Sequence, residues 1–532
     1  MTSIISFPAF DRLRESDTEW ALFDVRELAE ANSGHILGAC FLPRRMLELR
    51  IGELVPDTRT FVVLYDDGTS RRAELAADAL HRVGYENVHV LEGGLVAWLS
   101  KGREVTSGSN VAGKIFGEYV HETLRVPQVS AETLKTWLDE GRDCIICDIR
   151  TPVEYADKRI PNARGAFGVD LVSVAHDLKE ARLPIVVHCA GRTRGIIACQ
   201  GLRELGLDNV YALENGTMGW QLAGFRLERG SPQGILSPTP ESVQVGRQSA
   251  MALARSAGVT EIEPDELAGL IKERDARARN IYVYDVRQVD QYETAHIRGA
   301  QVLPGGLAMQ RIDDYMPARR AILIFVDDDT GRAFLTAFWF RKLGWQDVRV
   351  LRGGLQVWKE AGYPIGSGRD RSTPLGLRQA RENSVHVSAD ALQSMKPEPL
   401  IVHVDTSKSY ETARVPGAIW IPYGWLEYHL GQYLTALDTP VILTCRTGVH
   451  SVYAAANLRR LGYSSVRVLE GGINTWKQKF TVDSGWPDGF VRTPDVVVPP
   501  YDSSLEEMAR YLEWEQRLSE DLSADAFLSW ST

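Results

Sequence analysis

The chain has 532 residues, 44% hydrophobic and 24% charged, with 46 Gly and 24 Pro, which is room for three or four domains and excludes a disordered, collagenous or coiled-coil protein. A net charge of -10 argues against a general role on nucleic acid or an anionic membrane surface, and no apolar run reaches the roughly 18 residues of a membrane helix. The opening MTSIISFPAFDRLRES has neither a basic leader nor a long apolar segment, so the chain is expected to be cytoplasmic, and six scattered Cys, at 40, 144, 147, 189, 199 and 445, do not read as a disulfide framework.

Taken in chain order, the predicted elements recur four times. Each round begins with a strand carrying DVR at Asp24 to Arg26, DIR at Asp148 to Arg150, DVR at Asp285 to Arg287, or the degraded DTS at Asp405 to Ser407. A turn and short strand ending in Pro follow: GHILGACFLP to Pro43, HIRGAQVLP to Pro304, VPGAIWIP to Pro422, and a looser PNARGAFGV in the second round. Next come solid apolar strands, FVVLY from Phe61, IVVHC from Ile185, AILIFV from Ala321 and VILTC from Val441, each leading through a polar loop into an amphipathic helix. Each round closes on a Gly-stopped helix, a Val-bearing strand and LEGGLVAW to Trp98, LENGTMGW to Trp220, LRGGLQVW to Trp358 or LEGGINTW to Trp476. Short non-alternating strands alternating with helices predict an α/β fold, with four tandem domains that are each a mostly parallel sheet with helices on both faces. The expected domains are residues 5–104, 126–230, 259–366 and 384–480, followed by a tail at 481–532. The non-repeating stretches from Ser231 and from Gly366 read as linkers, and SLEEMARYLEWEQRLSEDL in the tail reads as a helix packed on a neighbouring domain or a second subunit, with no chemistry of its own.

The four strand-to-helix loops place Asp66, Cys189, Asp327 and Cys445 at one position and read DDGTSR, CAGRTR, DDDTGR and CRTGVH. Together with the DxR strand, the GHIxGAxxxP turn and the LEGGxxxW ending, a Cys five residues before Arg resembles the rhodanese family of sulfurtransferases, with the likeness covering about residues 5 to 480. The resemblance implies four rhodanese-like domains. It also implies a small anionic donor such as thiosulfate, and cyanide or a thiol, including a protein thiol, as acceptor; a homodimer is left open.

The loop chemistry agrees. A six-residue turn between a buried strand and a helix start can aim its amides inward as an anion nest, here formed by Ala190, Gly191, Arg192, Thr193, Arg194 and Gly195 around Cys189. Arg192 and Arg194 should lower the thiol pKa and hold the anionic end of a persulfide, with no separate base needed. Cys445 is the second candidate nucleophile, in a loop of Arg446, Thr447, Gly448, Val449 and His450, where His replaces Arg. Asp66 and Asp327 cannot carry sulfur, so the first and third domains are expected to be inactive. Phosphatase and arsenate reductase relatives place Arg six positions after Cys, where this chain has Gly195, which disfavours a hydrolase. A non-catalytic scaffold remains the alternative, supported by the two Asp copies.

Other motifs have blander readings. Cys144 and Cys147 fall in the strand CIICDI on opposite faces, and Cys199 falls in a helix, so all three are expected to be core residues. DxR recurs without a thiol and should be a structural ion pair, although Asp148, Arg150 and Glu154 could touch substrate, as could His188. The loop DDD at 327 to 329 is expected to cap a helix rather than bind metal. GSNVAGKI from Gly108 approaches a phosphate loop but has Ile115 where a hydroxyl is required. The scattered His and absence of HExxH predict no metal, and no cofactor is expected.

Overall fold

The structure is a computed structural model that describes residues 3–229, 234–370, 373–434, 436–488, 490 and 495–521. Part of each predicted linker (231–233, 371–372) and parts of the tail (491–494, 522–532), with the boundary residue 230, lie outside these residues. Four five-stranded sheets follow one another, and each has the same spatial order of its own strands, first-fifth-fourth-second-third, with every pairing parallel. In the second sheet these strands are Gln128–Val129, Ile145–Asp148, Arg164–Gly165, Ile185–His188 and Val210–Leu213. The central apolar runs expected from sequence become Phe61–Tyr65, Ile185–His188, Ile322–Val326 and Val441–Thr444, each lying in the middle of its sheet. Their side chains are buried on both faces, which is why they read as continuous rather than alternating apolar runs. A small antiparallel pair, His296–Ile297 with Ile365–Gly366, ties the turn after the DxR strand to the exit of the third copy.

The recurrent motifs have local physical causes. In each DxR the Arg folds back on its own Asp: Arg150 Nη2 lies 2.7 Å from Asp148 Oδ2, and the guanidinium also donates to the Lys158 carbonyl. Arg26 and Arg287 repeat the arrangement, so DxR is a buried brace between strand and turn, as expected. The closing Trp donates its indole N–H to the chain that leaves the domain, Trp98 to Glu104, Trp220 to Arg226, Trp358 to Pro364 and Trp476 to Thr481. The second Gly of LEGG explains itself at Gly216, whose φ is +54° and whose missing Cβ would collide with the Cys189 carbonyl. Gly94, Gly354 and Gly472 stand in the same way against the carbonyls of Asp66, Asp327 and Cys445. The motif therefore exists to let the closing turn touch the loop.

The chain splits into two compact units, Met1–Ser109 with Ser372–Val497 and Asn110–Arg371 with Val498–Thr532. The first holds sheets one and four. Between them the fully buried Arg44 meets Glu48 at 3.0 Å and Glu427 at 3.2 Å and lies over the Tyr423 ring. The second unit holds sheets two and three, the tail helix and two further helices. Pro240–Ser256 arises inside the first predicted linker and wedges between the helices Leu171–Ala181 and Arg332–Lys342. Val111–Leu124 contains the near-phosphate motif and lies along Thr193–Glu204, with Gly117 so close to Thr193 that a Cβ would lie 2.9 Å from its methyl. GSNVAGKI is therefore a packing element, and the first linker is a structural brace rather than a loose connection.

Candidate functional site

The second loop starts where the Ile185–His188 strand ends and finishes where the Thr193–Glu204 helix begins, at the carboxyl end of a central parallel strand where α/β folds place their ligands. The carbonyls of Cys189 and Ala190 turn outward to accept from the amides of Thr217 and Met218, each at 3.0 Å. That leaves the amides of Gly191 and Gly195 directed at the Cys189 sulfur.

The other copies display the same cradle with other occupants. Asp327 accepts from the amides of Asp329 at 2.9 Å and Ala333 at 3.1 Å, the positions that match Gly191 and Gly195. Asp66 accepts from Gly68 at 2.7 Å and Ala73 at 3.0 Å. Cys445 receives the Gly448 amide at 3.1 Å and lies 3.2 Å from the Ser451 hydroxyl. Two of the four nests are thus filled by a carboxylate of their own chain, and two by a thiol.

A model of the rhodanese-like domain family matches residues 10–101, 130–223, 263–361 and 388–479. The chain belongs to the rhodanese-like domain family. A crystal structure of a thiosulfate sulfurtransferase from Pseudomonas aeruginosa is similar over 99% of both chains, at 33% identity and a TM-score of 0.88. A thiosulfate sulfurtransferase of Azotobacter vinelandii is 30% identical over 181 residues, covering 30% of this chain and 64% of that one. Another, from Cricetulus griseus, is 24% identical over 184 residues, covering 29% and 62%. The matched segments span less than two thirds of these curated relatives.

Within this rhodanese array the surroundings of Cys189 depart from expectation in charge. Arg192 turns away from the sulfur to Glu118 of the Val111–Leu124 helix, with two contacts of 2.7 Å, and Asn215 lies 3.3 Å from it. Arg194 pairs with Glu154 at 2.9 Å and 3.1 Å. Glu154, despite burial, is held down to about 2 by the charge and hydrogen bonds of Arg194 and by Thr151. Each arginine is neutralised by a carboxylate, and burial pushes the Cys189 thiol up; Arg194 and the amides of Gly195 and Gly191 offset this only in part. The expected lowered thiol pKa is therefore reversed in this arrangement, because desolvation outweighs a cationic site that has already been paired.

The thiol itself is as buried as its counterpart Cys445, at 3% against 1% exposed; what the tail adds is cover over the rest of the loop. Leu505–Asp521 is a helix, as expected, but it lies against the Gly216–Leu222 and Val111–Leu124 helices and over the Cys189 loop. Met508 and Leu512 pack on Met218, and Glu515 Oε1 accepts from the Thr193 hydroxyl at 2.7 Å. Residues 189 to 197 are all buried, with Cys189 itself 3% exposed. The expected packing against a neighbouring domain brings Glu515 to this loop, where its charge is one of the lesser influences that raise the thiol. Its sequence signal was a buried stripe of Met508, Leu512, Glu515 and Leu518 at helical spacing with one acid in it. Glu118 had no comparable signal.

Around Cys445 the loop is more open. Arg446 and Thr447 are exposed, and Gly448 begins the helix Val449–Arg460 with φ +88°. His450 lies 3.4 Å from Asp405, so the imidazole expected to help bind an anion is engaged by the acid of the degraded DTS. Ser407, at the position of the DxR arginine, bonds to Asp495. Burial raises this thiol too, partly offset by Ser451.

The remaining candidates divide cleanly. His188 is wholly buried, 3.7 Å from Asp148 of the DxR brace and with Nδ1 3.2 Å from the Cys189 carbonyl. Cys147 and Cys199 are core thiols pushed up to about 12 by burial, whereas Cys144 precedes its strand and is half-buried. In the first copy Arg71 does not match Arg194. The match is Arg72, buried and paired to Glu30 at 2.7 Å and to Asp67, because that loop is one residue longer than its sequence alignment implied. The acids at 328 and 329 meet Arg332 and Arg247, which leaves DDD a capping loop.

Proposed function

We propose that the chain is a sulfurtransferase that carries a sulfane sulfur on Cys189, with thiosulfate or a related donor and with cyanide or a thiol as acceptor. The observation that supports it best is the shared cradle: amides that bind a carboxylate oxygen of Asp327 face the Cys189 sulfur from the matching positions. A site that satisfies an anionic oxygen can equally hold a thiolate and then the terminal sulfur of a persulfide. The Cys189 thiolate attacks the outer sulfur of thiosulfate; the S–S bond breaks and its electron pair leaves with sulfite. Cyanide then attacks the terminal sulfur of the persulfide, thiocyanate departs, and the thiolate is restored. This is covalent catalysis in two half-reactions, with leaving-group basicity governing each exchange as in thiol–disulfide chemistry. Gly191 and Gly195 amides stabilise the sulfur anion, Arg194 supplies the nearest positive charge, and Arg192 orders the loop through Glu118. Cys445 is a second nucleophile on this reading, while the Asp66 and Asp327 copies are structural, each nest being filled by its own carboxylate.

Incubation of the full chain with thiosulfate should add one sulfur at Cys189 by intact and peptide mass, and cyanide should remove it. Cys189→Ser should lose both steps at that position, leaving only what Cys445 carries. If Cys445→Ser loses transfer and Cys189→Ser keeps it, the fourth copy is the active one; if the wild type takes up no sulfur at either thiol, the scaffold alternative prevails.

A further inference from the structure

We infer that the C-terminal helix is an intramolecular plug over Cys189, with the Glu515 carboxylate standing in the approach that the anionic head of a sulfur donor must use. The inference rests on the proposed chemistry only for the identity of the donor. The occlusion itself is geometric: every residue from 189 to 197 is buried under the helix and its neighbours, and a Cβ built on Gly191 would lie 3.3 Å from Glu515 Oε2. Glu515 is 2% exposed and engages the loop by one oxygen only. Its other oxygen, Oε2, has no hydrogen-bond partner among the described residues and is turned toward the Gly191 face of the nest.

The Tyr511 hydroxyl and the Lys114 ammonium stand near this carboxylate, but a buried oxygen with no donor in hydrogen-bond geometry is costly, so packing alone does not account for its position. It is explained as a stand-in: a negative group held beside an anion nest, in a place a sulfonate or other oxyanion head would take on binding. The helix is fastened by Met508 and Leu512 against Met218, by the buried Lys114 ammonium over the Tyr511 and Trp514 rings, and by hydrogen bonds of Glu515 to Thr193 and Gln516 to Asn215. A helix docked on the surface of its neighbours is the sort of unit that can open by itself without global unfolding. A donor and the helix then compete for the same mouth, and transfer is limited to the open fraction of molecules. The Cys445 loop, with Arg446 and Thr447 exposed, has no such cover at these two residues and serves as an internal reference.

The test is site-resolved alkylation of the full chain with neutral iodoacetamide, read by peptide mass at Cys189 and Cys445, alongside thiosulfate loading. Loosening the helix with Met508→Ala and Leu512→Ala should speed alkylation of Cys189 by about tenfold or more, because the rate follows the open population, with Cys445 unchanged. Glu515→Gln should lower the thiosulfate concentration needed for half-loading by several-fold while changing iodoacetamide reactivity much less, a split that loss of packing alone would not produce. Equal Cys189 rates in wild type and the loosened variant, with an unaltered thiosulfate requirement in Glu515→Gln, would overturn the plug. If alkylation follows the helix but no variant ever accepts sulfur, the plug stands and the sulfurtransferase reading fails.

Discussion

At the scale of single residues, the position that ends each central strand is where the four copies diverge, and there burial and charge oppose each other. Asp327 is pushed up to about 6, by burial first and then by Asp328, against the pull of the Ala333 and Asp329 amides. A carboxylic acid that titrates higher folded than unfolded binds its proton more tightly in the native state, so it favours folding at low pH and loses that contribution as pH rises from about 4 to about 6. The shift of about two units corresponds to about 3 kcal/mol. Denaturant titrations should therefore show stability declining over that interval in wild type and a flatter profile in Asp327→Asn; parallel profiles would contradict the assignment. The loop identities and the DxR brace were legible from sequence because each is local, a few residues whose spacing alone brings them together. The partners of the arginines were not. Glu118 and Glu515 lie far along the chain from Arg192 and Thr193, and nothing in their local sequence says that a helix will deliver an acid to that loop.

Among elements, the strands were easy to read and the bracing helices were not. IVVHC or AILIFV is apolar throughout because both faces of the sheet are covered. The helix Pro240–Ser256, by contrast, buries Ser242, Gly246, Ala250 and Ala254, a stripe of small residues whose periodicity is nearly silent on a hydrophobicity scale. Its Thr239 cap and following Pro were visible, yet Gly, Ser and Pro nearby spoke for a linker. Small residues matter here because they permit close approach. The helix Val111–Leu124 is held to the Cys189 loop in the same way, through Gly117 on Thr193. Gly117→Val should force the two apart and lower stability by about 2 kcal/mol, the ordinary cost of overpacking, despite improved helix propensity over Gly. It should also reduce sulfur loading at Cys189, since Glu118 would no longer reach Arg192. Chemical denaturation and the mass assay check the two halves, and a variant as stable as wild type would refute the close-packing account.

On the scale of the whole molecule, copies that are neighbours in a unit are not always neighbours in sequence, as the pairing of the first with the fourth shows. Their junction is polar as well as apolar, because Arg44 of one copy pairs with Glu427 of the other as well as with its own Glu48. Removing one member of such a buried group strands the charge that remains. Glu427→Ala is expected to cost about 3 kcal/mol or more and to loosen both Leu47–Leu54 and Tyr423–His429 in hydrogen exchange, although these helices belong to different copies. Exchange confined to Tyr423–His429 would show that the two copies unfold separately. No helix among the described residues is long and apolar enough to cross a membrane.

The shared amide cradle has a practical corollary for the design of a Cys189 variant. Each of the four loops supplies an electron-rich side chain to its inward N–H groups, whether oxygen or sulfur, and alanine at 189 would leave those dipoles confronting one another around an empty centre. A dead variant made that way would confound lost reactivity with a misshapen turn. Serine keeps a lone pair where the architecture demands one, and so separates the loss of chemistry from the loss of shape.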